Sequence, residues 1–140
     1  MKILVDTNVL LDIVLQREPF RQSSHQVVAL CQQEELEGAI AANTIADMFY
    51  ILRKDFNVRE RKTILLSFCE IFCVIAIDRC KLIAALKNED FSDFEDCLQV
   101  ECAVAFNADY IITRNTRHFQ SSTIPVLSPQ EFCQRLTLSK

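Results

Sequence analysis

Oxygen-bearing side chains follow two apolar runs that are typical of buried strands. Asp6 comes directly after KILV, and Thr113 and Asn115 follow YII much later in the chain. Three further aspartates fall in the first turns of predicted helices, namely Asp47, Asp93 and Asp96. In a parallel sheet the strands end and the following helices begin at one edge, so we expect these side chains to meet there.

Carboxylates that meet in one place favour a particular chemistry. They repel one another, and each raises the pKa of its neighbours unless a cation is present. Oxygen ligands without His or Cys select hard cations such as Mg²⁺ or Mn²⁺. Such ions polarise phosphate esters and lower the pKa of the attacking water. The pattern therefore predicts a site for phosphoryl or phosphodiester chemistry, with Mg²⁺ or Mn²⁺ as the cofactor.

The elements that must position these residues alternate between short apolar strands and amphipathic helices. Strands are predicted at residues 2–6, 39–42, 72–77, 109–113 and 124–127, with 72–77 fully buried. Helices are predicted over 9–16, about 19–35, 58–71 and 78–87, and from the caps Thr44, Ser92 and Ser128. This alternation indicates one α/β domain over residues 1–140, a three-layer α/β/α sandwich with a four- to five-stranded parallel sheet.

Capping patterns predict where several helices begin. Asn8 is expected to cap the first helix, and Pro19 suits the first turn of the second. The expected capping pairs are Thr44 with Asp47, Ser92 with Glu95, and Ser128 with Glu131. Each pair fixes the position of a helix N-terminus relative to the sheet edge.

The composition is typical of a globular protein with more acidic than basic residues. Half of the residues are hydrophobic, and the formal net charge is −4. That charge argues against a broad electrostatic surface for nucleic acid, although a local basic patch remains compatible with it. The first apolar run is too short for a signal peptide and no run is long enough for a bilayer, so we expect a cytoplasmic protein without a membrane partner.

Seven cysteines are scattered along the chain. Their number is odd, and they lack the close pairing or flanking His of a zinc site or disulfide framework. We expect them to be small core residues in a reducing compartment.

Three segments together resemble the PIN-domain family, in particular its bacterial toxin branch. They are DTNVLLD at residues 6–12, FEDCLQ at 94–99 and ADYIITRNTRHF at 108–119, and the resemblance extends from Ile3 to about Phe132. It implies the α/β/α sandwich already predicted and a metal-dependent ribonuclease activity that uses Mg²⁺ or Mn²⁺.

The resemblance also implies roles for individual residues. Asp6 is the acid that bridges the metals, Asp47 stands where the family usually has Glu, and Asp96 is the acid of the later motif. The remaining matched residues are Asn8, which would position Asp6, Asp93 as an accessory acid, and Thr113 with Asn115 as the pair after the fourth strand. Two departures weaken cation binding: Asn115 replaces a common Asp, and His118 stands where an Asp often precedes the Phe.

The basic and acidic residues near these motifs have both functional and purely structural interpretations. We expect Arg114 and Arg117 to hold RNA phosphates, because both flank the predicted site. Asp12 has two interpretations, one facing the site and one on a solvated helix face, and we expect the solvated face. Purely structural roles also remain open for three of the acids: a turn residue for Asp6, a capping residue for Asp47 and a solvated first-turn residue for Asp93.

Three functions follow from these patterns. The first is a metal-dependent endoribonuclease, the toxin of a toxin–antitoxin pair, with an RNA substrate, an antitoxin partner and a homodimeric state. The second keeps the fold but loses the chemistry, leaving a module that binds RNA or protein. The third, a phospho-acceptor signalling domain, requires an acidic pair after the first strand and a Lys after the fifth, and the sequence has neither.

Overall fold

A five-stranded parallel sheet organises residues 1–139, the part of the chain that the computed structural model describes. The strands are β1 (Lys2–Val5), β2 (Glu37–Ala41), β3 (Cys73–Ile75), β4 (Tyr110–Ile112) and β5 (Val126–Leu127). They lie in the order β3-β2-β1-β4-β5, and all neighbouring pairs are parallel. The predicted α/β sandwich with a parallel sheet is therefore confirmed.

Seven α-helices cover the two faces of the sheet. They are α1 (Thr7–Val14), α2 (Arg21–Gln32), α3 (Ala42–Ile51), α4 (Val58–Ile71), α5 (Arg79–Lys87), α6 (Phe94–Phe106) and α7 (Pro129–Leu138). Helices α1 to α4 and α7 pack together on one face, while α5 and α6 cover the other. Within residues 1–139 no helix is both long and apolar enough to cross a membrane.

The side chains of β1 point alternately to the two faces of the sheet and contribute to a hydrophobic core on each face. Ile3 and Val5 are fully buried on the face of α1 and α2, while Leu4 is fully buried against α6. Burial of one such side chain stabilises the fold by about 1.5–3 kcal/mol. The central strand is therefore held on both faces, and the residue that follows it, Asp6, is held with it.

The sheet has its topological switch point between β1 and β4. From β1 the order runs outward to β2 and β3 on one side, and to β4 and β5 on the other. Asp6 extends this pairing, because its backbone N–H donates to the carbonyl of Ile112 at 2.9 Å. Ligand sites in parallel sheets form beyond the carboxyl ends of the strands at such a point.

The third strand is shorter and less buried than predicted. It covers only Cys73–Ile75, and Cys73 and Val74 are exposed. The prediction of a fully buried strand over 72–77 was wrong because β3 is an edge strand that pairs with β2 alone. Apolar composition does not distinguish an edge strand from a central one.

Three predicted helix caps were also wrong. Asp6, not Asn8, caps α1, because its extended backbone places Oδ1 2.8 Å from the Thr7 N–H. Helix α3 begins before Thr44, which leaves Thr44 buried inside it. Asp93, not Ser92, caps α6 and accepts the Asp96 N–H at 3.0 Å.

Other predicted helix starts agree with the structure, with one exception. Asp78 caps α5, and Ser128 forms a reciprocal capping box with Glu131 at the start of α7. Pro19 does not open α2, because a turn in which the Phe20 N–H donates to Arg17 precedes the helix.

The cysteines divide between the core and the surface. Cys31, Cys97 and Cys102 are buried, and Cys133 is partly buried. The prediction that they are core residues was wrong for the three exposed ones, Cys69, Cys73 and Cys80. These three lie on α4, the edge strand β3 and the first turn of α5, which have a solvent face.

Candidate metal-binding site

A cavity of about 450 Å³ opens at the carboxyl edge of the sheet, beside the switch point. It gathers residues from the ends of α1, α3 and α6 and from the loop after β4. The predicted site residues that line it are Asp6, Asn8, Asp47, Asp96 and Asn115. Residues far apart in sequence are thus brought to one place, as the positions of their strands and helices predicted.

Asp6 is the most constrained acid of the cavity. Its Oδ2 accepts the Thr113 hydroxyl at 2.7 Å and the Asn8 Nδ2 at 3.1 Å. Asn8 also accepts the Arg114 N–H through Oδ1 at 3.3 Å, which links α1 to the loop after β4. Burial raises the pKa of Asp6, while the hydrogen bonds from Thr113 and Thr7 act against that shift.

Asp47 lies on α3 and lines the cavity. It is half-buried, and its burial raises its pKa. Because α3 begins at Ala42, Asp47 is not in the first turn and makes no capping box. The capping interpretation of Asp47 is therefore wrong, and its carboxylate is free to face the cavity.

Asp96 lies in the first turn of α6 with Glu95 beside it. Burial, together with the negative charges of Asp93 and Asp6, raises the pKa of Asp96 to about 6. Its Oδ2 is buried without a hydrogen-bond partner among the described residues, and His118 Nδ1 approaches it to 3.5 Å. This carboxylate is held beside other acids, and within residues 1–139 it pairs with no Lys or Arg.

Glu95 is a cavity residue that the sequence did not single out for the site. It lines the cavity, and the charge of Asp47 is the main cause of its raised pKa. Its position next to Asp96 was the available signal, but its assignment to a capping box with Ser92 hid it. Asp93 takes the capping role instead and does not line the cavity.

Arg114 has a different partner from the one predicted. Its Nε lies 2.6 Å from Asp12 Oδ2, and its guanidinium stacks over Phe20 at 4.1 Å from the ring centroid. The ion pair engages the Nε of Arg114, and a role of this guanidinium in holding phosphate stays a prediction. Asp12 is 0% exposed, so its expected place on a solvated face was wrong.

Arg117 and His118 lie in the 3₁₀ turn Thr116–Phe119 that follows Asn115. Both are exposed, and Arg117 forms no ion pair or hydrogen bond through its side chain within residues 1–139. Phe119 is buried and anchors this turn against the sheet. Arg117 is therefore the basic residue near the cavity that is available to an external anion.

The acidic side chains that line the cavity are of the type that binds hard divalent cations. Asp6, Asp47, Glu95 and Asp96 offer oxygen only, and none of them pairs with a Lys or Arg among the described residues. Within residues 1–139, no three acidic, His or Cys side chains are close enough together to hold a metal ion as they stand. The buried Asp96 Oδ2, which has no hydrogen-bond partner among the described residues, is the observation that favours a cation at this site.

Known proteins resemble this chain in sequence or in fold. Ribonuclease VapC1 of Aquifex aeolicus is 25% identical over 138 residues, which cover 96% of this chain and 94% of the relative. A chain in the crystal structure of VapBC2 from Rickettsia felis, bound to a promoter DNA fragment, superimposes with a TM-score of 0.68 at 18% identity. That match covers 91% of this chain and 98% of the other.

A toxin–antitoxin complex from Klebsiella pneumoniae contains another similar chain. Its TM-score is 0.66 at 23% identity, with 91% of this chain and 97% of that chain covered. A family model described as PIN domain matches residues 2–117 and so includes every acid that lines the cavity. The chain belongs to the PIN domain family.

Proposed function

We propose that this protein is a metal-dependent endoribonuclease that hydrolyses RNA phosphodiesters, acting as the toxin of a toxin–antitoxin pair. The observation that carries the proposal is a cavity with four carboxylates and no basic ion-pair partner from Lys or Arg within residues 1–139. The name of the Aquifex aeolicus relative, a ribonuclease, supports the reaction class.

Asp6, Asp47 and Asp96 are the residues that would hold Mg²⁺ or Mn²⁺. When bound, the ion would supply Lewis acidity and an activated water for attack on phosphorus. Thr113 and Asn8 hold the Asp6 carboxylate in place through its Oδ2. Asn115 lines the same cavity as a neutral ligand, where an Asp would add a further charge.

The RNA backbone needs positive charge beside this acidic cavity. Arg117 is exposed and two residues from Asn115, so we assign it to a phosphate of the substrate. Arg114 acts differently, because its ion pair with Asp12 fixes the loop that carries Thr113 and Asn115. A cytoplasmic location follows from a cellular RNA substrate.

An antitoxin is the proposed protein partner, because a similar chain occurs in the toxin–antitoxin complex from Klebsiella pneumoniae. Helices α3 and α4 leave an apolar groove of about 630 Å³ between them, lined by Ile45, Phe49, Leu65 and Leu66. Leu66 is 64% exposed there, so it extends the apolar surface of the groove toward a partner. Homodimerisation is a separate proposal that such apolar surface also permits.

A binding module without catalysis is the second candidate. It is favoured by Asn115 and by His118, whose Nδ1 lies 3.5 Å from the Asp96 Oδ2. Both replace a negative charge that the wider family often has. In this case the protein would bind RNA or a partner without cutting it.

Cleavage of a labelled single-stranded RNA in the presence of Mn²⁺ tests the proposal. Wild type should cleave, a chelator should stop it, and Asp6→Asn should reduce the rate by at least about 100-fold, more than the loss typical of residues that only orient ligands. Asp78→Asn is the matched control, because Asp78 is also a helix N-cap but lies away from the cavity. Undiminished cleavage by Asp6→Asn would exclude the mechanism, and RNA binding without cleavage would favour the second candidate.

A further inference from the structure

Hydrogen bonds link the side chains of Thr7, Thr44 and Gln99 at the acidic cavity, which Thr7 and Gln99 also line. The hydroxyls of Thr7 and Thr44 are 3.0 Å apart, and the Gln99 Nε2 donates to the Thr44 hydroxyl at 3.3 Å. Thr44 is 0% exposed and Gln99 is 3% exposed. None of these side chains was singled out for the site by the sequence, and the proposed reaction assigns no task to them.

Each of these three residues is close in sequence to one acid of the cavity. Thr7 follows Asp6, Thr44 precedes Asp47 by three residues, and Gln99 follows Asp96 by three residues. Positions three apart are neighbours on a helix surface. The hydrogen bonds therefore connect α1, α3 and α6 at the level of the acids, and α6 belongs to the opposite helix layer from α1 and α3.

Gln99 also has an unused acceptor. Its Oε1 is buried and has no hydrogen-bond partner among the described residues, although the side chain lines the cavity. The Nε2 end of the amide faces the Thr44 hydroxyl, which can donate or accept, and the Oε1 end is the one without a partner. A buried acceptor without a partner destabilises a fold, so a ligand that offers Oε1 a hydrogen bond would bind favourably.

The geometry points to Gln99 as a positioning residue for the cation site. Through Thr44 and Thr7 it sets the distance of α6 from α1 and α3, and thus of Asp96 from Asp6 and Asp47. Its Oε1 would be available to accept a hydrogen bond from a water of a hydrated divalent cation held in the cavity, since Mg²⁺ keeps several of its waters. This inference rests on the proposed metal-dependent function.

Calorimetric titration with Mn²⁺ alone tests this role, with thermal unfolding of the metal-free protein as a second readout. Gln99→Met keeps the length and volume of the side chain and removes the amide, and we expect Mn²⁺ affinity to fall by about 10-fold. The metal-free variant should melt at or above the wild-type temperature. Gln32→Met on the exposed face of α2 is the matched control and should bind as wild type.

Thr44 provides a second, independent test. Thr44→Val removes the hydroxyl that orients Gln99 and should weaken Mn²⁺ binding, whereas Thr44→Ser keeps the hydroxyl and should restore affinity to within about twofold. Wild-type affinity in both Gln99→Met and Thr44→Val would overturn the inference and leave the proposed function standing. No saturable Mn²⁺ binding by the wild type would overturn both, since the site would then hold no cation.

Discussion

Two buried aspartates near the start of the chain have opposite surroundings. Asp12 is 0% exposed and Asp6 is 7% exposed, and burial is the main cause of a raised pKa at both. Asp12 faces Arg114 Nε at 2.6 Å and Arg17 at 3.9 Å, and both cations oppose the shift. Asp6 faces a hydroxyl and an amide, with further acids across the cavity.

The contrast separates a structural carboxylate from a candidate ligand. An ion pair inside the protein completes the surroundings of Asp12 and ties α1 to the loop after β4. Asp6, Asp47 and Asp96 have no such cation from Lys or Arg in the part of the chain that the structure describes. A charge supplied from outside is therefore expected at the cavity and not at Asp12.

The largest effect on stability is expected from Asp12→Asn. It leaves the Arg114 guanidinium without its partner, and we expect the free energy of unfolding to fall by about 3 kcal/mol, at the low end for a broken buried pair. Arg114 remains 22% exposed, which limits the loss. Urea unfolding measures it, with Asp6→Asn as the comparison, which should lose less than about 1 kcal/mol. Equal losses in the two variants would remove the distinction between the two sites.

The pH dependence of stability should report the uncompensated acids. The pKa of Asp96 is about 6 in the folded protein and 3.8 as its ordinary value, so the folded state holds a proton that the unfolded state has released. Stability of the metal-free protein should therefore fall as pH rises from about 4 to about 6, by on the order of 2 kcal/mol. Thermal unfolding across this range should show a shallower slope for Asp96→Asn. An identical slope would place the titrating group elsewhere.

A smaller effect is expected from Asn115→Asp. The variant adds a negative charge to the cavity that Asn115 lines, so Mn²⁺ affinity at neutral pH should rise by about fivefold. Calorimetry measures it, and Asn88→Asp on the surface after α5 is the control for added charge. Unchanged affinity would show that the side chain at this position does not reach the ion.

The smallest effect is expected from Arg117→Ala. Because this side chain is exposed and forms no ion pair within residues 1–139, stability should stay within about 0.5 kcal/mol of wild type. Binding of RNA should weaken several-fold, with the salt slope lower by about one. Arg114→Ala should show the reverse, with a clear loss of stability and little change in RNA binding. Weakened RNA binding only in the Arg114 variant would contradict this division of roles.

Local patterns in the sequence predicted the strands, apart from the length and burial of β3, and the sheet edge where the acids lie. Asp6 after β1 and Thr113 after β4 are each placed by an apolar run of their own, so short-range pattern was sufficient. The burial of Asp12 was not predictable, because its partner Arg114 lies far along the chain and meets it only after folding. Gln99 was missed for the same reason, since its partner Thr44 is on the opposite layer of helices.

Mn²⁺ titration by calorimetry at neutral pH tests the central claim most directly, with wild type beside Asp6→Asn and Asp78→Asn. If the cavity carboxylates converge on a cation, wild type and Asp78→Asn bind Mn²⁺ saturably and Asp6→Asn does not. Saturable binding that survives in Asp6→Asn, or no binding by the wild type, would contradict the assignment of this cavity as a metal site.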